Sequence, residues 1–168
     1  MRVSVLYACK ILESAEVVAI CDNAPDVLEV QKQACTDGSV TFYDNFEDFI
    51  KHDMDAVVLA NYANEHAPFA IRAMKAGKHV YLEKPMSHSP AENEILLKAE
   101  AKYGVVVQGG KQRRSWPNVV AGMEEVLSGA IGEVHFAKGW YTNKRESIGI
   151  GKPAPVPDWL DWELWQGP

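Results

Sequence analysis

Asp22, Asn61, the pair Glu83-Lys84 and Gln108 each close or directly follow a short apolar run. If those runs are strands of an open α/β sheet, these residues face the crevice beyond the carboxyl ends of the strands, where such sheets bind ligands. An acidic residue at Asp22 can hydrogen-bond both hydroxyls of an adenosine ribose and repel a 2'-phosphate, which favours NAD over NADP. It can equally cap the helix that begins near Pro25. Glu83-Lys84-Pro85 is the sharpest feature, because proline cannot continue a sheet and fixes the backbone beside Lys84, with a cis peptide as one option. An ammonium held there near a carbinol can stabilise developing negative charge or shuttle a proton, with Glu83 keeping it in place. The plainer alternative is a solvated Glu-Lys pair at a strand end. His66 heads a helix from which its ring reaches the same crevice or caps the helix. Gln108-Gly109-Gly110 ends another run, where glycines admit a flat ring close to the backbone or simply make a turn. Lys111, Arg113 and Arg114 suit a carboxylate or a phosphate, or form a solvated edge. Cys21 reads as buried filler, and His79 and His88 as structural.

The elements that must position these groups follow from hydrophobic period. Runs at Val17–Asp22, Val40–Tyr43, Ala56–Ala60, His79–Glu83 and Val105–Gln108 predict strands buried on both faces. Between and after them, Asp26–Ala34, Phe46–His52, His66–Ala76, Pro90–Tyr103 and Asn118–Leu127 have helical period. That alternation predicts the α/β class, a Rossmann-like, doubly wound parallel sheet. Gly77 and Gly104 sit where left-handed C-caps belong, and Ser89-Pro90-Ala91-Glu92 reads as a capping box with proline at the first helical position. At the N-terminus, a strand over Met1–Tyr7 would leave nine residues before Val17, fewer than the roughly dozen a parallel crossover needs. Val3–Glu13 is therefore expected to be helical, and a strand before it is expected to be missing. After Gly132, Val134, Phe136, Lys138 and Trp140 alternate with His135, Ala137, Gly139 and Tyr141, as in a half-exposed strand. A stiff proline connector, Lys152–Pro157, leads to Trp159, Trp162 and Trp165. Those rings, with Asp158, Asp161 and Glu163 among them, suit interdomain packing or a sugar-stacking surface.

Composition narrows the function. The 168 residues carry 17 basic and 23 acidic side chains, a formal charge of -6, which excludes the concentrated positive field that nucleic acid or an anionic membrane requires. Cys9, Cys21 and Cys35 are too far apart for a disulfide framework or a metal motif and read as reduced thiols in a cytoplasmic compartment. No apolar run reaches the length of a membrane span, no signal peptide is visible, and no G-x-G-x-x-G occurs.

Val17-Val18-Ala19-Ile20-Cys21-Asp22, His66-Ala67 at the head of a helix, and Ala76-Gly77-Lys78-His79-Val80-Tyr81-Leu82-Glu83-Lys84-Pro85 together resemble the Gfo/Idh/MocA family of sugar and cyclitol dehydrogenases. Gln112-Arg113-Arg114-Ser115, Ser147-Ile148-Gly149 and Leu164-Trp165-Gln166-Gly167-Pro168 resemble one branch of it, which is similar to the NAD-dependent glycosidases. Where the family carries Thr-Pro-Asn, this chain has Asn61-Tyr62-Ala63. The resemblance implies an NAD(P)-binding Rossmann domain over residues 1–131, lacking its first strand and glycine loop, and the beginning of a C-terminal α/β substrate and oligomerisation domain over 132–168. It implies Lys84 as the catalytic lysine, and Asp22, Asn61, His66, Glu83, Lys84 and Gln108 along the cofactor, with no metal. The expected activity is hydride transfer between NAD and a sugar or cyclitol carbinol by a homo-oligomer, of which this chain would be an inactive fragment. Two alternatives stand beside it: glycoside cleavage through transient oxidation, and a non-catalytic remnant or sugar-sensing regulator.

Overall fold

The computed structural model describes residues 15–36, 38–141 and 145–167. The helix expected over Val3–Glu13 lies outside them. The chain divides into two compact units, one running to Gly110 and the other spanning Lys111–Gln166.

In the first unit, strands β1 (Ala19–Cys21), β2 (Thr41–Tyr43), β3 (Ala56–Leu59), β4 (His79–Leu82) and β5 (Val107–Gly109) alternate with helices α1 (Pro25–Ala34), α2 (Phe46–Phe49), α3 (Ala63–Lys75) and α4 (Pro90–Tyr103). Every strand pair is parallel, as expected of apolar runs linked through helices. The ladder nevertheless falls into two sheets, β1-β2 and β3-β4-β5. An apolar cleft of about 600 Å³ has Val17–Asp22 on one wall and Asp53–Val58 on the other. Among the described residues, the edges of β1 and β3 turned away from β2 and β4 carry no strand partner. Those edges offer the backbone groups that a further strand would satisfy.

Register explains which residues are buried. Leu59, Leu82 and Gly109 form one row across the three-stranded sheet, and Val58, Tyr81 and Gln108 form the next. Successive side chains point to opposite faces, so the two rows face opposite ways. Val57, Leu59, Val80 and Leu82 pack into the core with Ala67, Ala70, Ala73 and Met74 of α3 and Leu96 and Ala99 of α4, whereas Val58 stays 43% exposed. The alanines recur at helical spacing on α3, and their small side chains let that helix lie close to the sheet.

Helix ends follow local chemistry. Gly104 ends α4 with φ +66°, and its N–H donates to the Glu100 carbonyl. Gly77, just after α3, has φ +77°. The cap at Ser89 forms half as expected: its hydroxyl accepts the Glu92 N–H at 3.3 Å. The other half is displaced by one residue, because Glu92 Oε2 accepts the N–H of His88 rather than that of Ser89. His79 is structural, its Nδ1 accepting the Val106 N–H.

The second unit contains a 3-10 turn at Gln112–Ser115, α5 (Pro117–Leu127) and α6 (Trp162–Gln166). Helix α5 thus belongs to the second compact unit. The strand expected after Gly132 is not formed. Residues 134–141 are exposed and irregular, because alternation alone makes no strand without a neighbour to receive its backbone hydrogen bonds. Trp162 and Trp165 stack with ring centroids 5.1 Å apart, and Trp159 precedes their helix.

Candidate functional site

The polar groups beyond β3, β4 and β5 are held by a ladder that runs one residue past the strands. Glu83 N–H donates to the Leu59 carbonyl at 2.9 Å, and Gly110 N–H to the Leu82 carbonyl at 2.8 Å. Past that point the backbone leaves the sheet and side chains take over.

Helix α3 supplies one side of the site. Glu65, in its first turn, accepts the Asn61 side-chain amide at 3.0 Å and the Tyr62 N–H at 3.4 Å through the same Oε2. Asn61 is thereby aimed, and its Oδ1 is buried with no partner among the described residues. One residue on from Glu65, His66 is 1% exposed. Its Nδ1 lies 2.5 Å from the Pro85 carbonyl oxygen. A carbonyl only accepts, so Nδ1 carries the proton and donates. In the neutral ring Nε2 is then an acceptor, and it too is buried without a partner among the described residues. The sequence leaves open a capping role for His66; its burial and its bond to Pro85 assign it to the crevice side instead.

The turn after β4 supplies the other side. The Lys84–Pro85 peptide is cis. Glu83 is buried, and its carboxylate accepts the backbone N–H of Lys84 at 3.1 Å. Glu83 therefore holds Lys84 by its main chain, and among the described residues no ion pair joins the two side chains. The Lys84 side chain is exposed. The two glycines after Gln108 serve this turn. A Cβ at Gly110 would stand 3.0 Å from the Glu83 carboxyl carbon, and one at Gly109 would stand 2.6 Å from Met86 Sδ. Neither has positive φ, so close approach of the chain's own side chains, rather than a left-handed turn, calls for glycine at both positions.

Asn61, His66, Glu83 and Lys84 are thus gathered at one end of the three-stranded sheet. Gln108 is not with them: β5 ends at Gly109, and Gln108 is exposed on the row with Val58 and Tyr81. Asp22 follows β1 on the other sheet and borders the cleft. Its N–H donates to the Tyr43 carbonyl and its Oδ1 accepts the Ala24 N–H at 3.0 Å, so it shapes the entry to α1, whose N-cap is Ala24. Burial and the carboxylates of Asp22 and Asp44 push the neighbouring Cys21 thiol up to about 11, which leaves it protonated and unreactive near neutrality. Lys111, Arg113 and Arg114 are exposed in the second unit, with Arg113 over the Trp116 ring. Among the described residues no cluster of His, Cys, Asp and Glu could hold a metal, and no helix is long and apolar enough to cross a membrane.

Glu65, the Pro85 carbonyl and Met86 escape a sequence reading. Glu65 alone had a usable signal, an acid at the third position of a helix, where capping partners sit.

The orphaned atoms say what could bind here. Asn61 Oδ1 and, in the neutral ring, His66 Nε2 are buried acceptors, and each calls for an N–H or O–H from a ligand. Ribose hydroxyls and a carboxamide carry such donors, so the residues fit a nicotinamide dinucleotide. Residues 5–111 match the family profile described as "Oxidoreductase family, NAD-binding Rossmann fold".

The chain belongs to the Gfo/Idh/MocA family.

Among relatives of this Gfo/Idh/MocA chain, inositol 2-dehydrogenase of Rubrobacter xylanophilus is 36% identical over 138 residues, covering 81% of this chain and 39% of that protein. The WlbA dehydrogenase of Bordetella pertussis, solved with NADH and UDP-GlcNAcA, superposes with TM-score 0.70 at 28% identity, over 77% of this chain and 38% of that one. KijD10, a 3-ketoreductase of Actinomadura kijaniata solved with TDP-benzene and NADP, superposes with TM-score 0.66 at 25% identity, over 76% and 40%. The chain spans about half or less of the length of the curated relatives it matches.

Proposed function

We propose that this Gfo/Idh/MocA chain serves a nicotinamide-dependent oxidoreductase that moves a hydride between NAD and a carbinol carbon of a sugar or cyclitol. The observation that carries this reading is a pair of buried acceptors, Asn61 Oδ1 and His66 Nε2, that have no partner among the described residues and lie on the side of the site opposite the Lys84 turn. The names of two relatives, an inositol 2-dehydrogenase and a dehydrogenase solved with NADH and UDP-GlcNAcA, support the substrate class.

In this reading Asp22 binds the adenosine ribose, while Asn61, His66 and the Glu83-Lys84 turn flank the nicotinamide half. When bound, the nicotinamide ring supplies the hydride acceptor or donor. Lys84 does the proton work: as the neutral amine it would take the carbinol proton in oxidation, and as the ammonium it would return that proton in reduction and steady negative charge on the carbinol oxygen. Glu83 fixes the Lys84 main chain and leaves the lysine side chain to the substrate. Gln108, which the family resemblance puts beside the cofactor, is assigned a marginal part because its side chain points away from the core row.

The test is a titration with NADH, followed by a search for NAD reduction with inositols and sugars as substrates. Binding with polyol-dependent reduction supports the proposal; no binding at millimolar dinucleotide contradicts it. The choice of NAD over NADP is tested at Asp22. Asp22→Asn keeps an acceptor for the Ala24 N–H and removes the charge. NAD affinity is expected to fall roughly tenfold or more, on loss of charged hydrogen bonds worth about 1.5–3 kcal/mol, while NADP affinity rises. An unchanged ratio of the two affinities would show that Asp22 does not read the ribose.

A further inference from the structure

We infer that His66 is a positioning residue for Lys84, acting through the carbonyl of Pro85. The inference rests on the cofactor reading above only for its second half. Its first half is geometric: the ring, 1% exposed and carried on the first turn of α3, donates from Nδ1 to the oxygen of the residue that follows Lys84. Lys84 is then held on both sides. Glu83 takes its N–H, and His66 anchors the next carbonyl to a helix whose alanines are packed on the sheet. The long lysine side chain stays exposed while its root is fixed, which is the arrangement that lets a flexible ammonium reach one place repeatedly.

The second half follows from the tautomer. With the proton committed to Nδ1, the neutral ring presents Nε2 as a buried acceptor. A donor on the nicotinamide half of the cofactor that bonds Nε2 would press on the same ring that holds Pro85, so an occupied cofactor site and an ordered lysine turn become one event. Met86, next in the chain, sits against Gly109 and confines the turn from its other end.

Two substitutions separate the halves. His66→Asn keeps an amide donor close to where Nδ1 stands and loses Nε2; His66→Gln places its amide nearer the Nε2 position and loses the bond to Pro85. In nitrogen-15 NMR of the wild-type protein, the His66 ring should show a protonated Nδ1 and a bare Nε2, and the Nε2 resonance alone should move when NADH is added. A proton on Nε2 would overturn the inference whether or not NADH binds. His66→Gln should displace the Lys84 amide resonance and lower kcat roughly 100-fold, the scale of an ångström's misplacement, with little change in NADH affinity. His66→Asn should restore the Lys84 amide and most of kcat while weakening NADH roughly tenfold, the worth of about one hydrogen bond. If both variants disturb Lys84 alike, His66 is packing only. If NADH fails to bind the wild-type protein but the ring tautomer and the Asn rescue of the Lys84 amide hold, the cofactor reading falls and the positioning role stands.

Discussion

Replacing Lys84 with alanine in the active oxidoreductase that carries this chain is expected to lower turnover by about 10²–10⁴-fold, the usual contribution of a positioned acid or base, while leaving NADH affinity within roughly tenfold. The expectation comes from how the residue is held. Glu83 is buried and spends its carboxylate on the Lys84 backbone N–H at 3.1 Å, and the Pro85 carbonyl is tied to His66. Neither bond involves the lysine side chain, so truncating it should leave the turn and the acceptors Asn61 Oδ1 and His66 Nε2 where they are. The loss should therefore appear in kcat, in steady-state assays of the variant beside wild type. Equal turnover would assign Lys84 to the solvated edge of the molecule and remove the chemistry from this site.

The second large effect is on stability. Leu82 is fully buried at the end of β4, in the row with Leu59 and Gly109, one residue before Glu83. Leu82→Ala is expected to cost about 2–5 kcal/mol, the transfer loss plus a cavity that the packed α3 cannot collapse into, with a melting temperature lower by on the order of 10 °C. Val58, on the opposite row of the same sheet and 43% exposed, gives the contrast. Val58→Ala should cost about 1 kcal/mol or less, the range of strand preference. Thermal denaturation of both variants checks the pair, and a comparable loss at Val58 would contradict one-sided burial of this sheet.

Much of the frame is legible in the residues because its signals are local. Gly104 with φ +66°, Ser89 accepting from Glu92 N–H and Pro90 opening α4 are decided within one turn of chain. The five strands appear where β-branched runs stand, each ending within a residue or two of the run. What fails is what depends on partners far along the chain. Nothing in Val17–Asp22 or Ala56–Ala60 says that β1 and β3 do not share a ladder. Alternation over Val134–Tyr141 is a strand pattern whose neighbour is not among the described residues, and it stays irregular. Gln108 looked like a strand end because the apolar run stops there, yet the ladder continues through Gly109, whose missing side chain makes room for Met86.

The candidate site divides the same way. That Glu83, Lys84 and Pro85 close a buried strand is visible in the sequence, and so is a histidine at the head of the preceding helix. That His66 reaches across 19 residues of chain to the Pro85 carbonyl, or that Glu65 turns Asn61 so that its oxygen is left bare, depends on the packing of α3 against β4. No spacing rule carries that information. The capping box at Ser89 is a smaller instance. The residue types were right and one of the two bonds formed, but the Glu92 carboxylate was nearer to the His88 N–H.

The most direct measurement is the crystal structure of the protein with NADH bound. The proposed cofactor site requires ligand donors within hydrogen-bond distance, about 2.7–3.2 Å, of Asn61 Oδ1 and His66 Nε2, a ribose on the Asp22 carboxylate, and the nicotinamide beside Lys84. A dinucleotide seated elsewhere, or one that leaves both acceptors bare, would contradict it.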